Sequence, residues 1–291
     1  MFKGSIVAIV TPFKNGKIDE EGLRQLVEFQ IENGTDGIVP CGTTGESPTL
    51  DYQEHDRVVE IVVDQVKKRI PVIAGTGSNS TREAIEITEH AKRVGADGAL
   101  LITPYYNKPS QEGLYRHYKT VAEAVALPQV LYNVPGRTAV NMLPETVARL
   151  AEISNIVAIK EATGSLQQAS EIIALCGEKI DVLSGDDFIT FPLMACGGVG
   201  VISVTANIMP KEVADMIDFF NAGNMEEARQ LNLKLLKISN AMFIETNPVP
   251  VKTALGLMGK CSDNVRLPLA PMSEANTLKL AGIMKEYGLT K

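Results

Sequence analysis

Histidine and cysteine are scarce in this chain, and neither is spaced to hold a metal. The three histidines, His55, His90 and His117, each fall in or beside a helical pattern, and Cys41, Cys176, Cys196 and Cys261 form no C-x-x-C pair. A zinc site built on those residues is not expected, and only a carboxylate-held divalent ion stays open. The scattered thiols read as reduced groups of a cytosolic protein. Positive charge is also in deficit, with 28 Lys and Arg against 35 Asp and Glu, a net charge of −7. No basic face is therefore expected to neutralise phosphates, and nucleic acid is excluded as a partner. No apolar run approaches the roughly 20 residues of a membrane span. The start, Met1-Phe2-Lys3-Gly4, lacks a signal-peptide layout, so a cytoplasmic location is expected. Gly75-Thr76-Gly77 is followed by Asn79-Ser80, and without its third glycine it is no dinucleotide fingerprint.

What is present is an ordinary globular composition, 45% hydrophobic and 22% charged over 291 residues. Strand-like runs stand at Ser5–Val10, Gly37–Pro40, Pro71–Gly75, Gly98–Thr103, Gln129–Val134, Ile156–Lys160, Asp181–Ser184 and Val199–Val204. Helical patterns fill the gaps. Val58, Val59, Val62, Val63 and Val66 make one apolar stripe. Ser80 with Glu83, and Ser165 with Gln168, have capping-box spacing. Gly34-Thr35-Asp36-Gly37 is echoed by Gly95-Ala96-Asp97-Gly98, at a spacing of two βα units of about 30 residues each. Eight alternations predict a parallel sheet closed into a (β/α)8 TIM barrel over residues 1–224, with an open doubly wound sheet as the alternative. Glu226–Ser239, Pro250–Met258 and Ser273–Tyr287 read as three further helices. With no linker before them, residues 225–291 are expected to pack on the barrel.

Catalytic groups of such a barrel lie at the C-terminal ends of its strands. The sixth strand ends at Lys160, where burial would disfavour the ammonium and leave a nucleophilic amine. The bland alternative is a lysine that snorkels to water. The requirement is steep: an unperturbed lysine is neutral in roughly one molecule in 2,500 at pH 7, so a pKa near 7 needs about 4–5 kcal/mol from the environment. The same face should carry Gly42-Thr43-Thr44-Gly45-Glu46-Ser47, Tyr105-Tyr106, Tyr132, Arg137 and Ser184-Gly185-Asp186-Asp187. Together they suit amine catalysis on a small carboxylated ketone. Each piece also has a plainer reading: the glycines and hydroxyls as turn formers, the tyrosine pair as a subunit contact, Arg137 as a loop charge, and the two aspartates as helix-capping or solvated. Gly197-Gly198-Val199-Gly200 precedes the eighth strand, whereas barrel phosphate sites follow strands seven and eight, which disfavours phosphorylated substrates.

These motifs closely resemble those of the dihydrodipicolinate synthase (4-hydroxy-tetrahydrodipicolinate synthase) family. The resemblance rests on Gly42–Ser47, Tyr132–Thr138, Ile159–Gly164, Leu183–Asp187 and Gly200–Val204. It extends to Asn247–Lys252 and Leu267–Leu269 in the tail. It implies a condensation of pyruvate with L-aspartate-4-semialdehyde, on the route to diaminopimelate and L-lysine, that needs no cofactor and no metal. Lys160 would form the Schiff base and Tyr132 would move protons. Thr43 would link Tyr132 to Tyr106, reaching in from a neighbouring subunit of a homotetramer. Thr44 and Ile202 match pyruvate-binding positions with Gly185 close by, and Arg137 matches the residue that holds the semialdehyde carboxylate. Ser47, His55, Asn79, Glu83 and Tyr105 match the site at which L-lysine inhibits sensitive relatives, although Pro48 and Tyr52 stand where alanine and histidine are usual. A sister Schiff-base lyase acting on N-acetylneuraminate or keto-deoxy sugars shares the lysine and tyrosine but not the need for Arg137 and the Thr43-Thr44 pair. A non-catalytic sensor of pyruvate or lysine would need no nucleophile.

Overall fold

The computed structural model describes residues 1–290. Eight parallel strands form one sheet: β1 (Gly4–Ala8), β2 (Gly37–Val39), β3 (Ile73–Gly75), β4 (Gly98–Ile102), β5 (Gln129–Asn133), β6 (Ile156–Glu161), β7 (Asp181–Ser184) and β8 (Gly200–Ser203). β1 pairs with β8 on one side, through Gly4↔Gly200 to Val7↔Ser203, and with β2 on the other. A bridge between Ile38 and Val72 joins β2 to the entrance of β3, which closes the TIM barrel expected from the alternation. Strand limits agree with the sequence reading to within two residues, and those of β7 coincide with it.

The alternation of side chains along each strand builds two cores. Ile6, Ala8, Val39, Ile73, Leu100, Val130, Tyr132, Ala158, Leu183 and Ile202 fill the barrel interior. Val7, Ile38, Ala74, Leu101, Leu131, Ile159, Val182 and Val201 face the helices outside. Lys160 lies two residues beyond Ala158, so the same alternation aims it inward. Glu161, one step on, faces outward, where Asn133, Gln168 and the Thr163 N–H donate to its carboxylate.

The surrounding helices are α1 (Glu20–Glu32), α2 (Tyr52–Val66), α3 (Thr81–Val94), α4 (Gln111–Ala124), α5 (Pro144–Leu150), α6 (Leu166–Cys176), α7 (Thr190–Ala195) and α8 (Pro210–Asn221). Their caps correct the sequence reading. Ser80 and Ser165 do accept from the N–H groups of Glu83 and Gln168, but neither box closes. Glu83 instead accepts from Ser78 Oγ (2.8 Å), and Gln168 turns to Asn141, Met142 and Glu161. The reciprocal box forms at α2, between Asp51 and Glu54. The repeated Gly-x-Asp-Gly segments do act alike. Gly34 and Gly95 adopt positive φ, and Asp36 and Asp97 accept the N–H groups of Ser5 and Val72. A two-stranded hairpin at Phe13–Lys14 and Lys17–Ile18 is an addition, turned by Asn15-Gly16, both at positive φ.

Three more helices, α9 (Met225–Ala241), α10 (Val249–Leu257) and α11 (Glu274–Glu286), follow. Lys252 of α10 is wholly buried, 2.6 Å from the equally buried Glu46, and also donates to the Thr11 carbonyl (2.9 Å). Glu46 sits in the loop after β2 with left-handed backbone, φ 55°. Its other carboxylate oxygen accepts the Arg266 N–H (3.0 Å), and the Arg266 guanidinium pairs with Glu54. Burial pulls the Lys252 ammonium down from its ordinary pKa, while Glu46 pulls it back up. Lys252→Met leaves the Glu46 charge uncompensated and is expected to cost about 3–5 kcal/mol of unfolding free energy. Adding Glu46→Gln should return part of that loss. Chemical denaturation checks both; a single variant as stable as the parent would contradict the coupling. Among the described residues no helix is long and apolar enough to cross a membrane.

Candidate active site

A chamber of about 60 Å³ opens at the C-terminal end of the barrel, walled by Thr43, Thr44, Tyr132, Arg137, Lys160, Gly185, Asp186, Phe243 and Asn247. That is room for roughly four to six water-sized groups, the scale of a small organic acid. Tyr132 and Lys160 are direct partners in the β5–β6 register. The Lys160 side chain is 5% exposed, and its Nζ lies 4.4 Å from the Tyr132 ring centroid. The amine is thus inside the barrel mouth, against an aromatic face, and not in bulk water. Gly185 makes this possible: a Cβ there would stand 2.5 Å from the Ala162 Cβ and 3.1 Å from the Lys160 Cε.

The loop after β2 brings the threonines. Gly75 lets that loop lie close, since a Cβ at this position would come within 2.2 Å of the Cys41 carbonyl oxygen. Thr44 Oγ1 accepts from Asn247 Nδ2 (3.0 Å), and the Asn247 carbonyl accepts from Arg137 Nη2 (3.1 Å). One residue from the C-terminal segment thereby spans the hydroxyl and the guanidinium. Arg137 itself is exposed at the mouth.

A second cavity, of about 720 Å³, shares Thr43, Tyr132 and Arg137 with the first and runs outward past Ser47, Pro48, Tyr52, His55, Glu83 and Tyr105. His55 Nε2 donates to the Gly75 carbonyl (2.8 Å), which leaves Nδ1 buried without a partner. Burial lowers the His55 pKa, so the ring is neutral at pH 7. The Tyr105 hydroxyl is pushed up, by burial first and then by the Glu83 charge.

Most sequence-derived site residues therefore share one pair of connected cavities: Lys160, Tyr132, Thr43, Thr44, Arg137 and Gly185 in or at the chamber, and Ser47, His55, Glu83 and Tyr105 in the outer cavity. Three stand apart. Ile202 packs inside the barrel with Tyr132 without lining the chamber. Asn79 braces the rim, donating to the Tyr105 carbonyl (3.1 Å). Tyr106 is 90% exposed with φ 72° and lines neither cavity. Among the described residues no hydrogen bond joins it to Thr43 or Tyr132.

The two aspartates of this face divide between two roles. Asp187 is buried and holds the turn after β8, accepting from Ser203 Oγ and from the N–H groups of Val204 (3.0 Å) and Thr205 (3.1 Å). Asp186 enters the chamber wall, where burial raises its pKa to about 6 against the opposing pull of Lys160. Asn247 is a wall residue that the sequence reading does not include. Its only sequence signal lay in the tail motif, more than 80 positions from Lys160.

Residues 1–287 match the model of the dihydrodipicolinate synthetase family. The chain is 82% identical over 289 residues, 99% of its length and 100% of the relative's, to a protein of Geotalea uraniireducens (strain Rf4) named 4-hydroxy-tetrahydrodipicolinate synthase. Among solved structures it resembles the chloride-inhibited dihydrodipicolinate synthase of Acinetobacter baumannii complexed with pyruvate. That match has 51% identity and a TM-score of 0.97, and covers 99% of this chain and 100% of the other. It also resembles the enzyme of Cyanidioschyzon merolae with lysine bound, at 42% identity and TM-score 0.96, over 99% of both chains.

Proposed function

This chain belongs to the dihydrodipicolinate synthetase family, and on that premise we propose that Lys160 is the Schiff-base nucleophile with which it condenses pyruvate and L-aspartate-4-semialdehyde. The product is 4-hydroxy-tetrahydrodipicolinate, on the route to diaminopimelate and L-lysine. The observation that carries the reading is the position of the amine, on the inward face of β6 and beside the Tyr132 ring.

The Lys160 amine adds to the keto carbon of pyruvate, and loss of water gives a protonated imine. Its positive nitrogen draws electrons from the methyl group, so a proton leaves and an enamine forms. The enamine carbon attacks the aldehyde, and the substrate amine then displaces Lys160 to close a six-membered ring. Tyr132 is the group placed to carry protons in these steps. Thr44 suits the pyruvate end, with Ile202 packed in the interior behind the chamber, and Arg137, at the mouth, suits the carboxylate of the second substrate. Thr43 would complete the relay with Tyr106, whose exposure on a single chain fits its donation to a neighbouring subunit; a homotetramer is part of this reading.

The outer cavity supports L-lysine as inhibitor. Glu83 supplies a carboxylate for an ammonium, and His55 Nδ1 supplies an unused acceptor. The cavity shares Thr43 and Tyr132 with the chamber, which gives coupling a physical route; its size should be about 1–3 kcal/mol. One assay tests substrate and regulation together. With pyruvate, aspartate semialdehyde is expected to turn over and N-acetylneuraminate in the cleavage direction is not; added millimolar lysine should slow the first reaction. Preferential cleavage of the sugar acid would overturn the substrate assignment, and turnover indifferent to lysine at low and high pyruvate would remove the inhibitor.

A further inference from the structure

We propose that Asp186 is the subsite for the α-ammonium of the semialdehyde and the base that frees its amine to displace Lys160, an inference that rests on Lys160 being the Schiff-base residue. An α-amino acid brings two opposite charges into the chamber, and the chamber offers one group for each. Arg137 is at the mouth, and Asp186 is the sole carboxyl group among the lining residues. The rest of the polar wall is hydroxyl, amide and the lysine itself.

Three details give Asp186 this role over its neighbour. Its backbone is pinned: the N–H donates to Ser184 Oγ (3.2 Å), and the carbonyl accepts from Ser184 Oγ (2.8 Å) and Thr190 Oγ1 (3.1 Å). Among the described residues its carboxylate accepts from the Gly164 N–H alone, where that of Asp187 takes three donors, and so it keeps acceptor capacity for a ligand. It also follows Gly185, where an added Cβ would stand 3.1 Å from the Lys160 Cε, and it lines the same chamber as Lys160, whose charge acts on it. Burial holds the carboxyl at about 6. It is then ionised at pH 7, yet roughly a hundredfold stronger as a base than an ordinary carboxylate near 4.

The step balances. Once the carbon–carbon bond has formed, the substrate ammonium gives one proton to the Asp186 carboxylate. The freed nitrogen pair adds to the iminium carbon, and the C=N pair retreats onto the Lys160 nitrogen, giving a geminal diamine. A proton passes from the substrate nitrogen to the Lys160 nitrogen. The carbon–Nζ bond then breaks, leaving its pair on Lys160, while the substrate nitrogen's remaining pair forms the ring iminium. Asp186 passes its proton to the departing lysine amine and is a carboxylate again.

The test compares Asp186→Asn and Asp186→Glu with the parent enzyme. Asp186→Asn should still trap pyruvate with borohydride, but lose about 10²–10⁴-fold in kcat/KM for aspartate semialdehyde. It should also lose the acid limb of that profile near pH 6, where protonation of the carboxyl removes both charge and basicity. The charged groups that act on this carboxyl are Lys160, Asp187 and, from the outer face of β6, Glu161, with Arg137 and Tyr132 on the same chamber wall; all are unchanged in the variant. Asp186→Glu should restore part of the rate and the limb. Condensation with succinate semialdehyde, which lacks the amine, should fall far less in the variant than condensation with aspartate semialdehyde. Parent-like kinetics and acid limb in Asp186→Asn would overturn the inference, as would an equal loss with both aldehydes. A parent enzyme that traps no pyruvate would overturn this and the Schiff-base reading together.

Discussion

Lys160→Ala is expected to abolish turnover, by roughly 10⁴–10⁶-fold, the scale on which removal of a covalent nucleophile is felt. That corresponds to about 5–8 kcal/mol of transition-state stabilisation. The iminium supplies the electron sink from which the enamine forms, and no other amine lines the chamber to replace it; Arg137 is a permanent cation. The loss should be chemical and not structural. Lys160 borders an open chamber, so truncation enlarges a space already there instead of opening a new hole in packed core. A melting curve close to that of the parent, together with vanished kcat, is the expected pair of readings. A kcat within tenfold of the parent would mean the reaction runs without this amine.

Tyr132→Phe should lower kcat by about 10²–10⁴-fold, the usual range for general acid–base groups. The substitution is informative because it separates two contributions of one side chain. The ring stays under Nζ and keeps its place in the interior cluster with Val130 and Leu183; only the hydroxyl is removed. The imine with pyruvate should therefore still form, more slowly, while the later proton transfers stall. Single-turnover measurements distinguish the two stages. An undiminished kcat would move the proton relay to other groups, with Thr43 the other hydroxyl on the shared wall of the two cavities.

The parts of this architecture that were legible in advance are those governed by local pattern. Continuous apolar runs, buried on both faces, mark the strands, and the period-two alternation of side chains fixes which way Lys160 faces once Ala158 is inside. Loop residues at strand ends were placed by the general rule that barrels present those ends together. What escaped was decided by how loops close on one another. Asp186 and Asp187 are adjacent and chemically identical, yet one clamps β8 and the other enters the chamber, a difference set by Gly185 and Ser203 and not by local spacing. Asn247 reaches Thr44 only because α10 is anchored through Lys252 to Glu46. The half-made boxes at Ser80 and Ser165 show the same effect, since Glu83 and Gln168 found stronger partners in the folded chain. Tyr106 points out of its own chain, and no pattern within one chain can say what it meets.

The central claim is that the Lys160 amine couples with a keto acid. Incubation with pyruvate and borohydride, followed by peptide mass spectrometry, tests it most directly. The expected result is a gain of about 72 Da, pyruvate less water plus two hydrogens, on the peptide carrying Lys160 and on no other, and absent from Lys160→Ala. An unmodified Lys160 peptide, or an adduct of equal yield elsewhere in the chain, would contradict it.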